Sequence, residues 1–213
     1  MTKDLASIRR DYILKTLNEE DIDPDPVKQF KKWLNEAIEA CVNEPTAMAL
    51  ATSTKEGIPS VRIVLLKKVT QEDFVFFTNY TSRKGRQLLE NPHAALAFYW
   101  PELERQVRIE GSVTRLPEEA SDEYFNSRPP GSRIGAWASP QSQVIPNRAF
   151  LEEMMLKYQK QFQSLKIERP SYWGGFSLKP SLIEFWQGRE SRLHDRIQFT
   201  KTDNKWKAER LAP

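Results

Sequence analysis

The chain has 213 residues, 39% hydrophobic and 29% charged, and its formal net charge of +3 comes from 32 basic against 29 acidic side chains. That length suffices for a full core in a single domain of the β-barrel kind, and charges scattered in near balance lack the concentrated basic face of a nucleic-acid binder. No apolar run approaches the roughly 18 residues of a membrane helix, the N-terminus MTKDLASIRRDY has no signal-peptide core, and the one cysteine excludes an internal disulfide, so the expectation is a cytoplasmic protein with neither membrane nor nucleic acid as partner.

Residues 1–25 are polar, end in DIDPDP and read as a mobile arm ahead of one domain over 26–213. Asp25 and Pro26 suit a helix start, and Val27, Phe30, Leu34, Ala37, Ile38 and Cys41 recur at helical spacing, which puts Cys41 on the apolar side as a packing residue. TAMALATS (46–53), PSVRIVLLKKV (59–69) and FVFFT (74–78) read as successive strands separated by the turns KEG and TQED. TSRKGRQLLENP (81–92) is a short helix with Thr81 or Ser82 as its cap; HAALAFYW (93–100) and RQVRIEGSVTRL (105–116) return to strand. Helices are predicted over 117–127 and 147–165, and the last third is again β. The fold class is mainly antiparallel β with helices.

Four stretches could carry chemistry. In TNYTSRKGRQ a hydroxyl cap, first-turn backbone N–H groups and Arg83 with Lys84 make either a phosphate cradle or an ordinary capped surface helix. In VRIVLLKK, Arg62 within an apolar strand needs an anion or solvent, and strict alternation sets Arg62 and Lys67 on opposite faces unless the strand is bulged or Lys67 lies at its edge. Tyr124, Arg128 and Ser132 are spaced by four, as on one helix face, but Pro129, Pro130 and Gly131 interrupt it; the trio suits a second phosphate or a plain helix end with a proline turn. Finally, IEFWQG offers Trp186 as a flat apolar face and Gln187 as an amide for ring heteroatoms, just before RLHDR. Read as a strand, RLHDR projects Arg192, His194 and Arg196 from one face and Leu193, Asp195 and Ile197 from the other, and that cationic face calls for something anionic or electron-rich against it. Metal-ligand clusters, a nucleophile elbow, a Walker loop and a dinucleotide glycine fingerprint are all absent from the sequence. What remains suits a phosphorylated cofactor beside a phosphorylated substrate, with the cofactor supplying the chemistry.

The segments RIVLLK, FFTNYTSRKGRQL, FYWPELERQVRIEG, YFNSRPPGSRIGAWAS, WGGF, IEFWQG, RLHDR and ERLAP occur in the order seen in the pyridoxamine/pyridoxine 5′-phosphate oxidases, and the resemblance runs from Ile8 to Pro213. It implies an FMN-binding split β-barrel, antiparallel and Greek-key-like, forming a homodimer with active sites at the interface. It also implies oxidation of pyridoxine or pyridoxamine 5′-phosphate to pyridoxal 5′-phosphate, by hydride transfer from C4′ to flavin N5 and reduction of O2 to hydrogen peroxide. Carried over by position, FMN contacts fall on Arg62, Ile63, Val64, Leu65, Leu66 and Lys67, on Phe77, Thr78, Arg83 and Lys84, and on Gln106, Gln141, Ser142, Trp186 and Arg196. The substrate phosphate falls on Lys67, Tyr124, Arg128 and Ser132. Arg192, Leu193 and His194 face the pyridine ring, with Arg192 and His194 as the catalytic pair, and Arg9, Arg10, Asp11 and Tyr12 belong to a segment that closes over it. Position 77 is Phe where some members have Tyr. A flavin reductase on the same barrel and a β-barrel nucleic-acid module are the competing readings.

Overall fold

Asp25 begins the first helix as the sequence suggests: its Oδ1 accepts the N–H groups of Val27 and Lys28 at 2.9 and 3.3 Å, and Pro26 occupies the first turn, where a missing N–H costs nothing. This is α1 (Pro26–Glu39) of the computed structural model, which describes residues 4–5 and 11–213. Its buried face is Val27, Phe30, Trp33 and Ala37. Phe30 packs on Phe98 and Trp100 with ring centroids 4.9 and 6.2 Å away, and Trp33 meets the edge of Phe185 at 5.2 Å. Burying each such ring contributes about 1.5–3 kcal/mol. Two expectations are corrected here. Ile38 is 51% exposed, and Cys41 is exposed at φ 53°, because the helix stops at Glu39 and Cys41 falls outside its periodicity.

The chain gathers into two compact units made of interleaved segments. One comprises the described residues up to Ala49, with Ala95–Glu110 and Pro180–Pro213; the other comprises Leu50–Ala94 and Gly111–Lys179. Strands β1 (Ala47–Ser53), β5 (His93–Trp100), β6 (Arg105–Arg115) and β7 (Trp173–Gln187) contribute residues to both. In the first unit β5, β6 and β7 lie side by side, followed by β8 (Asp195–Thr202) and β9 (Lys205–Leu211). The β7–β8 and β8–β9 pairs are antiparallel, with Trp186 opposite Arg196 and Arg196 opposite Leu211.

The second unit holds β2 (Pro59–Leu65), β3 (Lys68–Val69), β4 (Phe74–Asn79) and four of the five α-helices among the described residues. β4 pairs antiparallel with both β3 and β7. The single strand expected over 59–69 is two strands. The break falls at Leu66, which is buried, and at Lys67, whose N–H donates to Val75 O at 2.9 Å. Alternation is reset there, so Arg62 and Lys67 are not bound to opposite faces. Across β4, the register sets Phe77 opposite Gly175 and Thr78 opposite Gly174. Both glycines make room for neighbouring side chains: a Cβ on Gly174 would collide with the Tyr80 hydroxyl, and one on Gly175 would lie 2.5 Å from Leu116 and 2.8 Å from Phe77, so these side chains would have to shift.

Candidate active site

At the end of β4 the chain turns into α2 (Arg83–Glu90), capped by Ser82, whose hydroxyl accepts the Gly85 N–H at 3.2 Å. Gly85 must be glycine, since a Cβ would run into the backbone carbonyls of Asn79 and Tyr80. The tight turn buries Lys84 at the helix start, where its Nζ donates to Thr78 Oγ1 at 3.2 Å and to Gln141 Oε1 at 3.1 Å. Burial, and secondly the Arg62 charge, lower the Lys84 pKa to about 8. Arg62 is itself held by neutral acceptors: Leu50 O at 3.1 Å, Thr52 Oγ1 at 2.6 Å and Ser60 Oγ at 2.6 Å. Gln87 Oε1 accepts both of those hydroxyls at 2.6 Å, which orients them toward the α2 side. Burial and the Arg83 charge depress the Arg62 pKa as well. Arg62, Arg83 and Lys84 thus repel one another, and no carboxylate pairs with Arg62 or Lys84 among the described residues.

A second cationic group stands on the helical side of the same unit. Tyr124 lies near the end of α3 (Glu118–Ser127), Arg128 caps that helix, and Ser132 belongs to α4 (Pro130–Ala138). The proline turn therefore interrupts the spacing of four, yet all three residues line one cleft of about 510 Å³. Arg128 lies over the Trp173 ring at 4.6 Å, and its Nη1 is buried with no hydrogen-bond partner. An unpartnered buried guanidinium nitrogen is costly unless an acceptor arrives. Burial pushes the Arg128 pKa down and that of the Tyr124 hydroxyl up.

Besides Tyr124, Arg128 and Ser132, that cleft is lined by the expected residues Ile63, Val64, Leu65, Lys67, Phe77, Thr78, Lys84 and Gln141, and by Trp173, which sequence reasoning did not single out. Arg62, Arg83, Leu66 and Ser142 belong to the same unit without lining it; Leu66 is buried, Arg83 exposed, and Ser142 sits at φ 68° beside Gln141. Gln87, Thr52 and Ser60 were also missed; buried polar residues next to an unpaired arginine were the available signal.

Gln106, Trp186, Arg192, Leu193, His194, Arg196, Asp11 and Tyr12 lie in the first unit, while Arg9 and Arg10 fall outside the described residues. RLHDR is not a strand throughout. Glu190–Arg192 is a 3-10 turn with Ser191 and Arg192 at φ 55° and 62°, and β8 starts only at Asp195, so alternation does not govern Arg192 and His194. His194 packs against Trp186 at 4.7 Å and Tyr12 at 5.7 Å, and its Nδ1 accepts the Arg189 N–H at 3.1 Å. Burial and then the Arg192 charge lower its pKa, against an upward pull from Asp195. Arg196 is ion-paired: Nε donates to the buried Glu184 at 2.9 Å and Nη1 to Ala212 O at 2.8 Å. Gln187 is corrected. Fully buried, it accepts from Arg105 Nε at 3.0 Å and donates to the Leu103 and Glu104 carbonyls, so its amide serves the core.

Residues 11–19 are fastened to this unit. Ile13 and Leu14 N–H groups donate to a Glu104 carboxylate oxygen at 2.9 and 3.0 Å, and the Leu17 N–H donates to Asp195 Oδ2 at 3.1 Å. Arg210 donates to Glu19, Asp195 Oδ1 and Leu17 O.

Mainly antiparallel strands with flanking helices, and a cationic cleft where β4 meets α2, define a split-barrel protein. A family model described as pyridoxamine 5′-phosphate oxidase matches residues 34–161, and one described as the pyridoxine 5′-phosphate oxidase C-terminal dimerisation region matches 173–213. The chain belongs to the pyridoxamine 5′-phosphate oxidase family. It is 53% identical over 214 residues to the pyridoxine/pyridoxamine 5′-phosphate oxidase of Nostoc sp. PCC 7120, covering 100% of each chain. It is 56% identical to that of Neisseria gonorrhoeae, covering 99% of this chain and 100% of the relative. Among solved structures it matches PhzG from Burkholderia lata 383, in complex with tetrahydrophenazine-1-carboxylic acid, with a TM-score of 0.88 and 32% identity over 94% of this chain and 99% of that one. An FMN-binding protein from Nostoc punctiforme related to the same family shares the fold, with a TM-score of 0.71 and 18% identity over 90% and 100% of the two chains.

Proposed function

We propose that this chain oxidises pyridoxine 5′-phosphate or pyridoxamine 5′-phosphate to pyridoxal 5′-phosphate with FMN as cofactor and O2 as the final acceptor, giving hydrogen peroxide. The observation that carries this reading is a pair of cationic groups in one unit, each without a carboxylate among the described residues: Arg62 with Lys84, and Arg128 with its orphaned Nη1. Two groups suit two phosphorylated molecules, and the relatives bear the oxidase's name.

In this reading Lys84, Thr78, Arg62 and Arg83 hold the FMN phosphate, with the α2 N-terminus adding its partial positive charge. Ile63, Val64, Leu65, Lys67, Phe77 and Gln141 complete the cofactor side of the cleft, and Leu66 and Ser142 adjoin these residues in sequence. Lys67, Tyr124, Arg128 and Ser132 hold the substrate phosphate. When bound, FMN would supply the two-electron redox chemistry that links oxidation of the substrate to reduction of O2. The protein's part is binding and orientation: Arg192 presses on the substrate ring, Leu193 and His194 border it, and Gln106, Trp186 and Arg196 meet the cofactor. The C-terminal stretch that matches a dimerisation region supports a homodimer, and this reading sets the active sites at its interface.

The test is spectroscopic. Purified protein is expected to be yellow and to release FMN on denaturation, and adding pyridoxine 5′-phosphate without O2 should bleach it. A colourless protein that takes up no FMN overturns the assignment, and salt-dependent RNA affinity would put a binding module in its place.

A further inference from the structure

The Arg189 N–H points at His194 Nδ1, 3.1 Å away. A ring nitrogen that accepts a hydrogen bond carries no proton, so the neutral imidazole has its proton on Nε2. Three features hold this arrangement. The Arg189 guanidinium is anchored to Asp195 Oδ2 at 3.0 Å, and Asp195 is in turn fixed by the Leu17 N–H and by Arg210. The Gly188 N–H donates to Glu104 O at 2.7 Å, pinning the turn from the other side. Tyr12 fills the space beside Gly188, where a Cβ would lie 2.7 Å from its ring, and Tyr12 and Trp186 wall the imidazole.

Resting on the functional reading above, we propose that Arg189 is a positioning residue that locks His194 as a neutral Nε2–H donor, aimed at an acceptor oxygen or nitrogen on the substrate ring. His194 is therefore not the general base. A base needs a bare Nε2, which would put a proton on Nδ1 and bring two donors face to face across 3.1 Å. Among the described residues, the charged groups around the ring are Arg192 and Asp195 on its own segment and Arg189 on the preceding turn; Tyr12 and Trp186 are uncharged rings. Protonating Nδ1 would break the Arg189 bond and add a cation beside Arg192. The donor survives at every pH at which the fold survives, because Nε2 is protonated in both the neutral locked form and the cation.

The chain has two histidines, so nitrogen NMR of histidine-labelled holoenzyme shows two imidazoles, and His93→Gln assigns the His194 signals. His194 is expected to give a single-tautomer pattern, Nδ1 bare and Nε2 protonated, and to titrate below the ordinary histidine value. Arg189→Pro, which lacks the N–H itself, should mix the tautomers and move the His194 midpoint up, while Arg189→Lys, which keeps both the N–H and a cation for Asp195, should retain the wild-type pattern. A protonated Nδ1 in the wild type, or an Arg189→Pro variant with unchanged tautomer and midpoint, overturns the proposal; should that variant fail to fold, the wild-type spectrum alone decides. No turnover is needed for this readout. Failure of the functional reading would show instead as a locked tautomer in a protein that oxidises neither phosphorylated vitamer.

Discussion

Phe77 and Tyr124 lie ring on ring, centroids 3.9 Å apart and planes 19° from parallel. The stack continues to Trp173, 5.6 Å from Phe77 at 12°, and Arg128 lies over the Trp173 face at 4.6 Å. A phenylalanine at position 77 supplies a flat wall without needing a hydroxyl, and that wall fixes the tyrosine and the arginine that flank the cleft.

Removing the guanidinium should therefore separate the two phosphate sites. Arg128→Ala is expected to raise KM for the phosphorylated substrate by roughly 10- to 150-fold, the worth of about 1.5–3 kcal/mol for hydrogen bonds to a charged group. The flavin content, read from its absorbance, should be unchanged.

If Lys84 holds the FMN phosphate as proposed, cofactor binding should depend on pH. With its pKa at about 8, the ammonium is present below that value and lost above it. FMN affinity of the apoprotein, measured by fluorescence quenching, should hold on the acid side and weaken as pH rises through about 8. Bound phosphate stabilises the cation and moves the holoenzyme's transition higher. Lys84→Gln should flatten the dependence and weaken binding throughout.

Gln87 touches no expected ligand residue directly, yet it fixes the two hydroxyls that hold Arg62. Gln87→Leu should cost about 1–3 kcal/mol of stability by leaving buried hydroxyls unsatisfied. It should also lower FMN affinity several-fold while KM for substrate stays put. Thermal melts and flavin titrations read the two effects independently.

Arg210 clasps residues 17–19 to β8 and β9, and its bond holds the Glu19 carboxyl down to about 2. Glu19 keeps its charge above that value, so the clasp holds across the ordinary pH range and opens only in strong acid. Arg210→Ala should expose residues 11–25 to limited proteolysis, with cleavage in that segment ahead of any cut in the sheet, whereas Glu19→Ala, which spares the Asp195 and Leu17 contacts, should do so to a lesser degree.

Strands and helices were legible where periodicity and caps agreed: β5 over 93–100, α2 behind Ser82, and α1 behind Asp25. Sequence reasoning failed where tertiary geometry resets a local rule. RLHDR carries alternating charge like a strand, but positive φ at Ser191 and Arg192 turns the chain before Asp195. Gln187 looked like a ligand amide and is a buried core partner of Arg105, because its neighbours on the sheet come from distant segments. Arg62, Lys84 and Arg128 were identifiable by type, but that they lack carboxylates depends on contacts made across more than the local window.

The most direct measurement is peroxide release by the holoenzyme given pyridoxine 5′-phosphate or unphosphorylated pyridoxine at equal concentration. Two separate phosphate anchors require rapid, stoichiometric peroxide with the former and little with the latter. Equal rates with both compounds, or no peroxide with either, would contradict it.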